Sequence, residues 1–192
     1  MAIRPWTVEG SRTLLKDRWI NLRADDCRLP DGTPVSPFYV NSLPDFVVAV
    51  ALTTEGEFIF VRQYRHGTGQ ILLEFPAGCM EETDPDAGRA AARELLEETG
   101  YAGDPPVFLC KVAPNASGLS NFAHCYLITG CRKVREQELD ATEDIEVVIL
   151  SREETDRLLA GGGLVQAVHV AAMYYADRIL KDITAGNAAS DG

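Results

Sequence analysis

No apolar run in this sequence is long enough to cross a bilayer; the longest, Phe46 to Thr53, has only the length of a strand. The opening MAIRPWTVEG lacks the apolar core of a secretory signal, so the expected compartment is the cytoplasm and no membrane partner is expected. Basic residues are scarce, 18 Lys+Arg against 29 Asp+Glu in 192 residues, for a net charge of −11. Without a broad positive field the chain is not expected to bind nucleic acid, although small anions that bring a cation remain open to it. Histidine is rare: His66, His124 and His169 stand far apart and form no ligand cluster. The five cysteines are odd in number and contain no C-x-x-C, which excludes a disulfide framework and a zinc knuckle and reads as buried free thiols.

What is present is a globular balance, 46% hydrophobic and 24% charged, enough for one sizeable domain or one with a small appendage. The first half reads as strands joined by turns. Arg18–Leu29 and Val35–Val40 flank Pro30-Asp31-Gly32, and Phe46–Thr53 and Glu57–Arg65 flank Thr54-Glu55-Gly56. The unbroken apolar stretch from Phe46 suits a strand covered on both faces. After Ile71–Phe75 a turn is expected at Pro76-Ala77-Gly78, then a helix with Asp84 as N-cap, Pro85 at its first position and Gly100 as its stop. Strands at Val107–Val112, Phe122–Thr129 and Ile145–Leu150 precede helices at Arg152–Ala160 and Leu164–Lys181. The expected organisation is a β region over 1–43, a main domain over 44–183 and a frayed tail over 184–192. The β region has no helix to cover a sheet face, so it needs another surface and favours an oligomer.

Within Arg93-Glu94-Leu95-Leu96-Glu97-Glu98-Thr99-Gly100, helical spacing puts Glu94, Glu97 and Glu98 on one face. Like charges in the last turns of a helix repel one another and the negative end of its dipole. Alone, such a pattern is commonly a solvated acidic face. Here a strand and the acidic loop from Gly78 lead into it, so carbonyl and carboxylate oxygens could meet a hard divalent cation.

The stretch from Gly78 to Tyr101 resembles the Nudix box, G-x5-E-x7-R-E-U-x-E-E-x-G-U, with Tyr101 in its last apolar slot. The loop is one residue longer than the pattern, so the first box glutamate falls on Asp84 counted from Gly78 and on Pro85 counted back from Arg93. Val61-Arg62-Gln63-Tyr64-Arg65 and Leu73-Glu74-Phe75-Pro76-Ala77-Gly78 resemble segments of the ADP-ribose pyrophosphatase branch, as do Glu143–Val147 and the helix start at Ser151. The likeness covers most of the chain.

This resemblance implies an α+β fold, the α/β/α Nudix sandwich with a mixed sheet, preceded by an antiparallel sheet exchanged across a homodimer. It implies Mg²⁺-dependent hydrolysis of a nucleoside-diphosphate sugar, with Mn²⁺ as a substitute. By the same resemblance Glu94 and Glu98 hold metal with help from Glu97 and the Ala77 carbonyl. Arg93 belongs to the catalytic helix, and Arg62, Arg65 and Glu74 lie near the phosphates. Glu143 is the expected general base, with Glu138 and Asp140 as neighbours able to replace it. Trp19 and Tyr39 are candidates to stack the base, against the plainer reading of sheet packing. The loop Ala113–Asn121, with Ser117, could offer N–H groups to a phosphate or sugar, or simply connect two strands. Competing readings are a GDP-sugar, dinucleoside polyphosphate or nucleoside triphosphate as substrate, a non-catalytic ligand sensor, and an acidic interaction protein.

Overall fold

A computed structural model describes residues 2–190, of which 183–190 by backbone alone; the expected tail over 184–192 lies outside the side chains described. The chain divides into two compact units, one made of residues up to Pro44 with Ala113–Phe122, the other of Asp45–Val112 and the remainder from Ala123.

The first unit is an antiparallel sheet in the order β1 (Thr7–Lys16), β2 (Asn21–Arg28), β3 (Pro34–Asn41). The β2–β3 turn works as its residues suggest. Gly32 takes φ +93°, open only to glycine at low cost, and the Asp31 carboxylate accepts the Thr33 N–H. Strand β1 is not foreshadowed in the sequence, because almost all of it is exposed and no alternation of polar and apolar residues marks it. The Ala113–Phe122 loop joins this sheet through the Asn41 N–H to Gly118 carbonyl bond, at 2.9 Å.

The second unit is built on a mixed eight-stranded sheet. Its path runs β11 (Ile145–Leu150), β5 (Phe58–Arg65), β4 (Phe46–Thr53), β10 (Ala123–Lys133), β8 (Tyr101–Ala102). To it are added β6 (Gln70–Glu74) on β5, β7 (Ala77–Cys79) on β4 and β9 (Val107–Val112) on β10. β4 and β10 are parallel and the other pairs antiparallel. β4 is buried almost throughout, and its pleat sends alternate residues to opposite cores. Val47, Ala49 and Ala51 pack with Ala90, Ala91 and Leu95 of α1 (Ala87–Thr99). Val48, Val50 and Leu52 join Phe60, Phe75 and Met173, the last from α3 (Ala167–Ser190). Each large side chain buried this way contributes on the order of 1.5–3 kcal/mol, which fixes the register of the strand on which β7 pairs. α2 (Arg152–Ala160) follows β11 and starts in a Ser151–Glu154 capping box.

Three expectations need correction. The cap of α1 is Asp86, which accepts the Arg89 N–H, and not Asp84, whose carboxylate is drawn away by Arg93. Pro76-Ala77-Gly78 is no free turn: from Ala77 the chain pairs with β4 as β7. Of the five cysteines, Cys79 is exposed and the other four are buried free thiols.

Candidate active site

The segment Glu74-Phe75-Pro76-Ala77 leaves β6 and enters β7, and each of its residues is tied to a different element. Glu74, fully buried, receives Arg65 of β5 on both carboxylate oxygens, at 2.6–3.2 Å. The Phe75 N–H donates to His169 Nδ1 of α3 at 3.1 Å. The Pro76 carbonyl accepts the Ala49 N–H of β4 at 2.9 Å. The Ala77 N–H donates to the Glu98 carboxylate of α1 at 3.0 Å. Phe75 lies past the end of the β5–β6 ladder in an apolar core, where an unpaired N–H would cost about 1–3 kcal/mol.

Glu94 reaches the same segment from the preceding turn of α1. A Cβ at Gly78 would lie 2.3 Å from its carboxyl carbon, so the absent side chain of Gly78 makes the space that the carboxylate fills. Burial is the main force pushing the Glu94 carboxyl up to about 7. Burial, then the charge of Glu94, pushes Glu98 up to about 8. Glu143, on the loop before β11, adds its own charge to both.

Glu97 adds its charge to Glu94 from the same helix face. It binds Arg93, which also holds Glu94, both oxygens of Asp84 and the Cys79 carbonyl, at 2.9–3.1 Å. Arg93 therefore rivets the long loop to the helix. Those bonds, the Asp84 pair first, raise its own pKa, and the same contact lowers that of Asp84. Asp84, counted forward from Gly78, is thus the loop carboxylate tied to the helix, two residues before the Asp86 cap.

The acidic loop after β10 is placed by bonds that no motif signals. The Gln137 side-chain amide donates to the carbonyls of Glu98, at 2.6 Å, and Ile145, at 3.0 Å; the Glu138 N–H donates to the Glu97 carbonyl at 2.9 Å. The three carboxylates of the loop part company there. Glu138 pairs with Arg135, the Glu143 carboxylate accepts the Asp140 N–H, and of the three it is Glu143 whose charge reaches Glu94, Glu98 and Arg65. The charged form of Arg65 is favoured first by its bonds to Glu74 and then by these carboxylates. Arg62 is exposed and paired with Glu146 across β5–β11 at 2.7 Å. Trp19, Tyr39 and Ser117 belong to the first unit, and all three are exposed. Trp19 lies beneath the Arg18 guanidinium, 4.1 Å away, and Ser117 is held by Asn115.

Among the described residues no three His, Cys, Asp or Glu side chains already surround a point as a metal cage. The donor chemistry nevertheless fits a hard divalent cation. The carboxylates and backbone carbonyls here are hard oxygen donors, and buried Glu98 and half-buried Glu94, the latter filling the space left by Gly78, both have raised proton affinity.

The family model described as NUDIX domain matches residues 43–167, and that of the nucleoside diphosphate sugar hydrolase N-terminal domain matches 6–41. The chain belongs to the Nudix family and is a Nudix hydrolase. An ADP-ribose pyrophosphatase of Mycobacterium tuberculosis is 31% identical over 175 residues, 90% of this chain and 84% of that protein. A methanol dehydrogenase activator of Bacillus methanolicus is 28% identical over 163 residues, 84% of this chain and 87% of that one. A solved structure titled as an ADP compounds hydrolase shares the fold, with a TM-score of 0.84 at 22% identity over 95% of this chain and 97% of its own.

Proposed function

We propose that the enzyme hydrolyses the diphosphate linkage of ADP-ribose or a related nucleoside-diphosphate sugar, releasing a nucleoside monophosphate and a sugar phosphate, with Mg²⁺ as cofactor and Mn²⁺ able to replace it. The observation that carries the reading is half-buried Glu94, seated against Gly78, together with buried Glu98, whose proton affinity Glu94 raises, with Glu143 in electrostatic reach of both. The match to a nucleoside diphosphate sugar hydrolase N-terminal domain and the name of the mycobacterial relative favour that substrate class.

In this reading Glu94, Glu98 and the Ala77 carbonyl hold the cation, with Glu97 assisting through Arg93. The bound cation supplies charge neutralisation of the diphosphate and polarisation of its phosphoryl oxygens. Arg65, fixed by buried Glu74, turns its remaining N–H groups to the phosphates. Glu143 accepts the proton of the attacking water and gives it up to solvent through its exposed loop. Trp19, Tyr39 and Ser117 contribute to holding the nucleoside or sugar, and exposed Trp6, Val8, Leu14 and Leu15 suit exchange of the β1–β3 sheet across a homodimer.

The test is mass analysis of products from ADP-ribose in ¹⁸O-water with Mg²⁺, beside a GDP-sugar, a dinucleoside polyphosphate and a nucleoside triphosphate. AMP and ribose phosphate, with ¹⁸O in one of them, are expected. A ranking of ADP-ribose well below the other substrates overturns the substrate, and ADP-ribose binding without turnover overturns the reaction.

A further inference from the structure

Every group placed at the chemistry so far precedes α2. One contact reaches the site from α3 instead. His169 is almost wholly buried, and its ring lies near-parallel to that of Phe75, at 19°, which in turn stacks on Phe60 with centroids 4.5 Å apart. Its Nδ1 accepts the Phe75 N–H, so the ring proton must sit on Nε2. Burial holds the imidazole neutral by pushing its pKa down to about 4, which keeps the Nδ1 lone pair available.

What this bond fixes is short and stiff. Phe75 is followed by Pro76, whose ring locks φ and which has no N–H of its own, and then by Ala77, whose N–H orients the Glu98 carboxylate. Glu74, on the other side of the bonded peptide, sets Arg65. A rotation of the Phe75 peptide would therefore be passed to Glu98 in one direction and to Arg65 in the other.

We infer that His169 is a positioning residue for the hydrolysis: its Nδ1 holds the Phe75 peptide so that the Ala77 N–H and carbonyl, and through them Glu98, keep the orientation that binds the cation. The inference rests on the reading of Glu98 as a metal ligand.

The test compares His169→Leu and His169→Phe, which fill the space without an acceptor, with His169→Asn, whose Oδ1 stands where Nδ1 does. Melting curves, ADP-ribose kinetics and Mn²⁺ binding followed by electron paramagnetic resonance are measured on each. The two variants without an acceptor should stay folded and lose about 10- to 100-fold in Mn²⁺ affinity and kcat, with KM little changed, while His169→Asn recovers most of both. Wild-type Mn²⁺ affinity in His169→Leu, or His169→Asn as impaired as His169→Leu, overturns the inference. Loss of fold in both His169→Leu and His169→Phe overturns it too, since the ring would then serve the core at large. Glu98→Gln is run alongside. If it binds Mn²⁺ like wild type, the ligand reading itself has failed; if it does not while His169→Leu does, only the role of His169 has.

Discussion

The carboxylate of Glu94 occupies the place where any residue other than glycine at position 78 would put its Cβ, at 2.3 Å from the carboxyl carbon. The obstructed atoms are the far end of a flexible side chain, so Gly78→Ala can be relieved by moving Glu94 without disturbing backbone. The variant should melt within about 1 kcal/mol of wild type, as for changes that leave the core packed, yet lose on the order of 100-fold in kcat because the carboxylate proposed as a metal ligand is displaced. Denaturation and steady-state kinetics on the same preparation check both halves, and full activity would show that the position of Glu94 is immaterial.

In the proposed reading, Glu94 and Glu98 together hold a divalent cation in the folded state, whereas in the unfolded chain the two are apart and solvated. Adding Mg²⁺ to chelator-treated protein should raise its melting temperature. A concentration of 100 times Kd corresponds to about 2.7 kcal/mol, or roughly 5–10 °C for a chain of this size. Glu98→Gln should abolish that rise while melting no lower than wild type in chelator, because it replaces a carboxyl whose ionisation burial and Glu94 oppose with a neutral amide of the same shape. A full Mg²⁺ shift in the variant would contradict the assignment.

Glu143 is separated from its two acidic neighbours by what each touches, so three single substitutions should give unequal results. Glu143→Gln should lower kcat by about 100-fold or more, as expected for a general base. Glu138→Gln loses an exposed ion pair with Arg135, of little energetic weight, and should stay near wild type. Asp140→Asn keeps the backbone N–H that Glu143 accepts and should also stay near wild type. Equal losses at all three would mean that the loop acts only through its total charge.

Much of this arrangement is legible in the sequence because it rests on local chemistry. The i, i+3, i+4 spacing of Glu94, Glu97 and Glu98 and the Gly100 stop at φ +77° follow from helix geometry, as does the Ser151 capping box. The start of α1 is ambiguous because Asp84-Pro85 and Asp86 both carry capping chemistry, and the choice is made by Arg93, which removes Asp84 from the contest. Arg93, one residue before Glu94 and four before Glu97, bridges both carboxylates from the same nitrogen, a pairing that the helical spacing also allows. Gln137 and His169 escape a reading of motifs for a different reason. Their partners, the Glu98 carbonyl and the Phe75 N–H, are backbone groups far away in the chain, and backbone groups leave no mark on a sequence. The amide amid the acids of the 136–138 run, and a lone polar ring among the apolar positions of α3, are the faint signals there.

The same histidine also gives the fold a dependence on acidity whose sign is fixed. Its pKa is lowered from 6.5 to about 4, chiefly by burial, so on unfolding in mild acid the ring gains a proton that it lacks in the core. The contribution is therefore complete above the unfolded value of 6.5 and drains away as pH falls toward about 4, below which the folded ring is protonated as well. Glu94 and Glu98, raised by the same burial, act with the opposite sign over higher pH, so the wild-type profile alone cannot isolate the histidine. A difference profile does. Urea denaturation of wild type and His169→Asn should show the stability gap between them narrowing by about 2 kcal/mol from near pH 7 to near pH 4.5, because the substituted amide cannot titrate and the carboxylates are common to both proteins. A gap that stays constant would mean that water or a neighbouring charge already sustains the protonated ring within the fold.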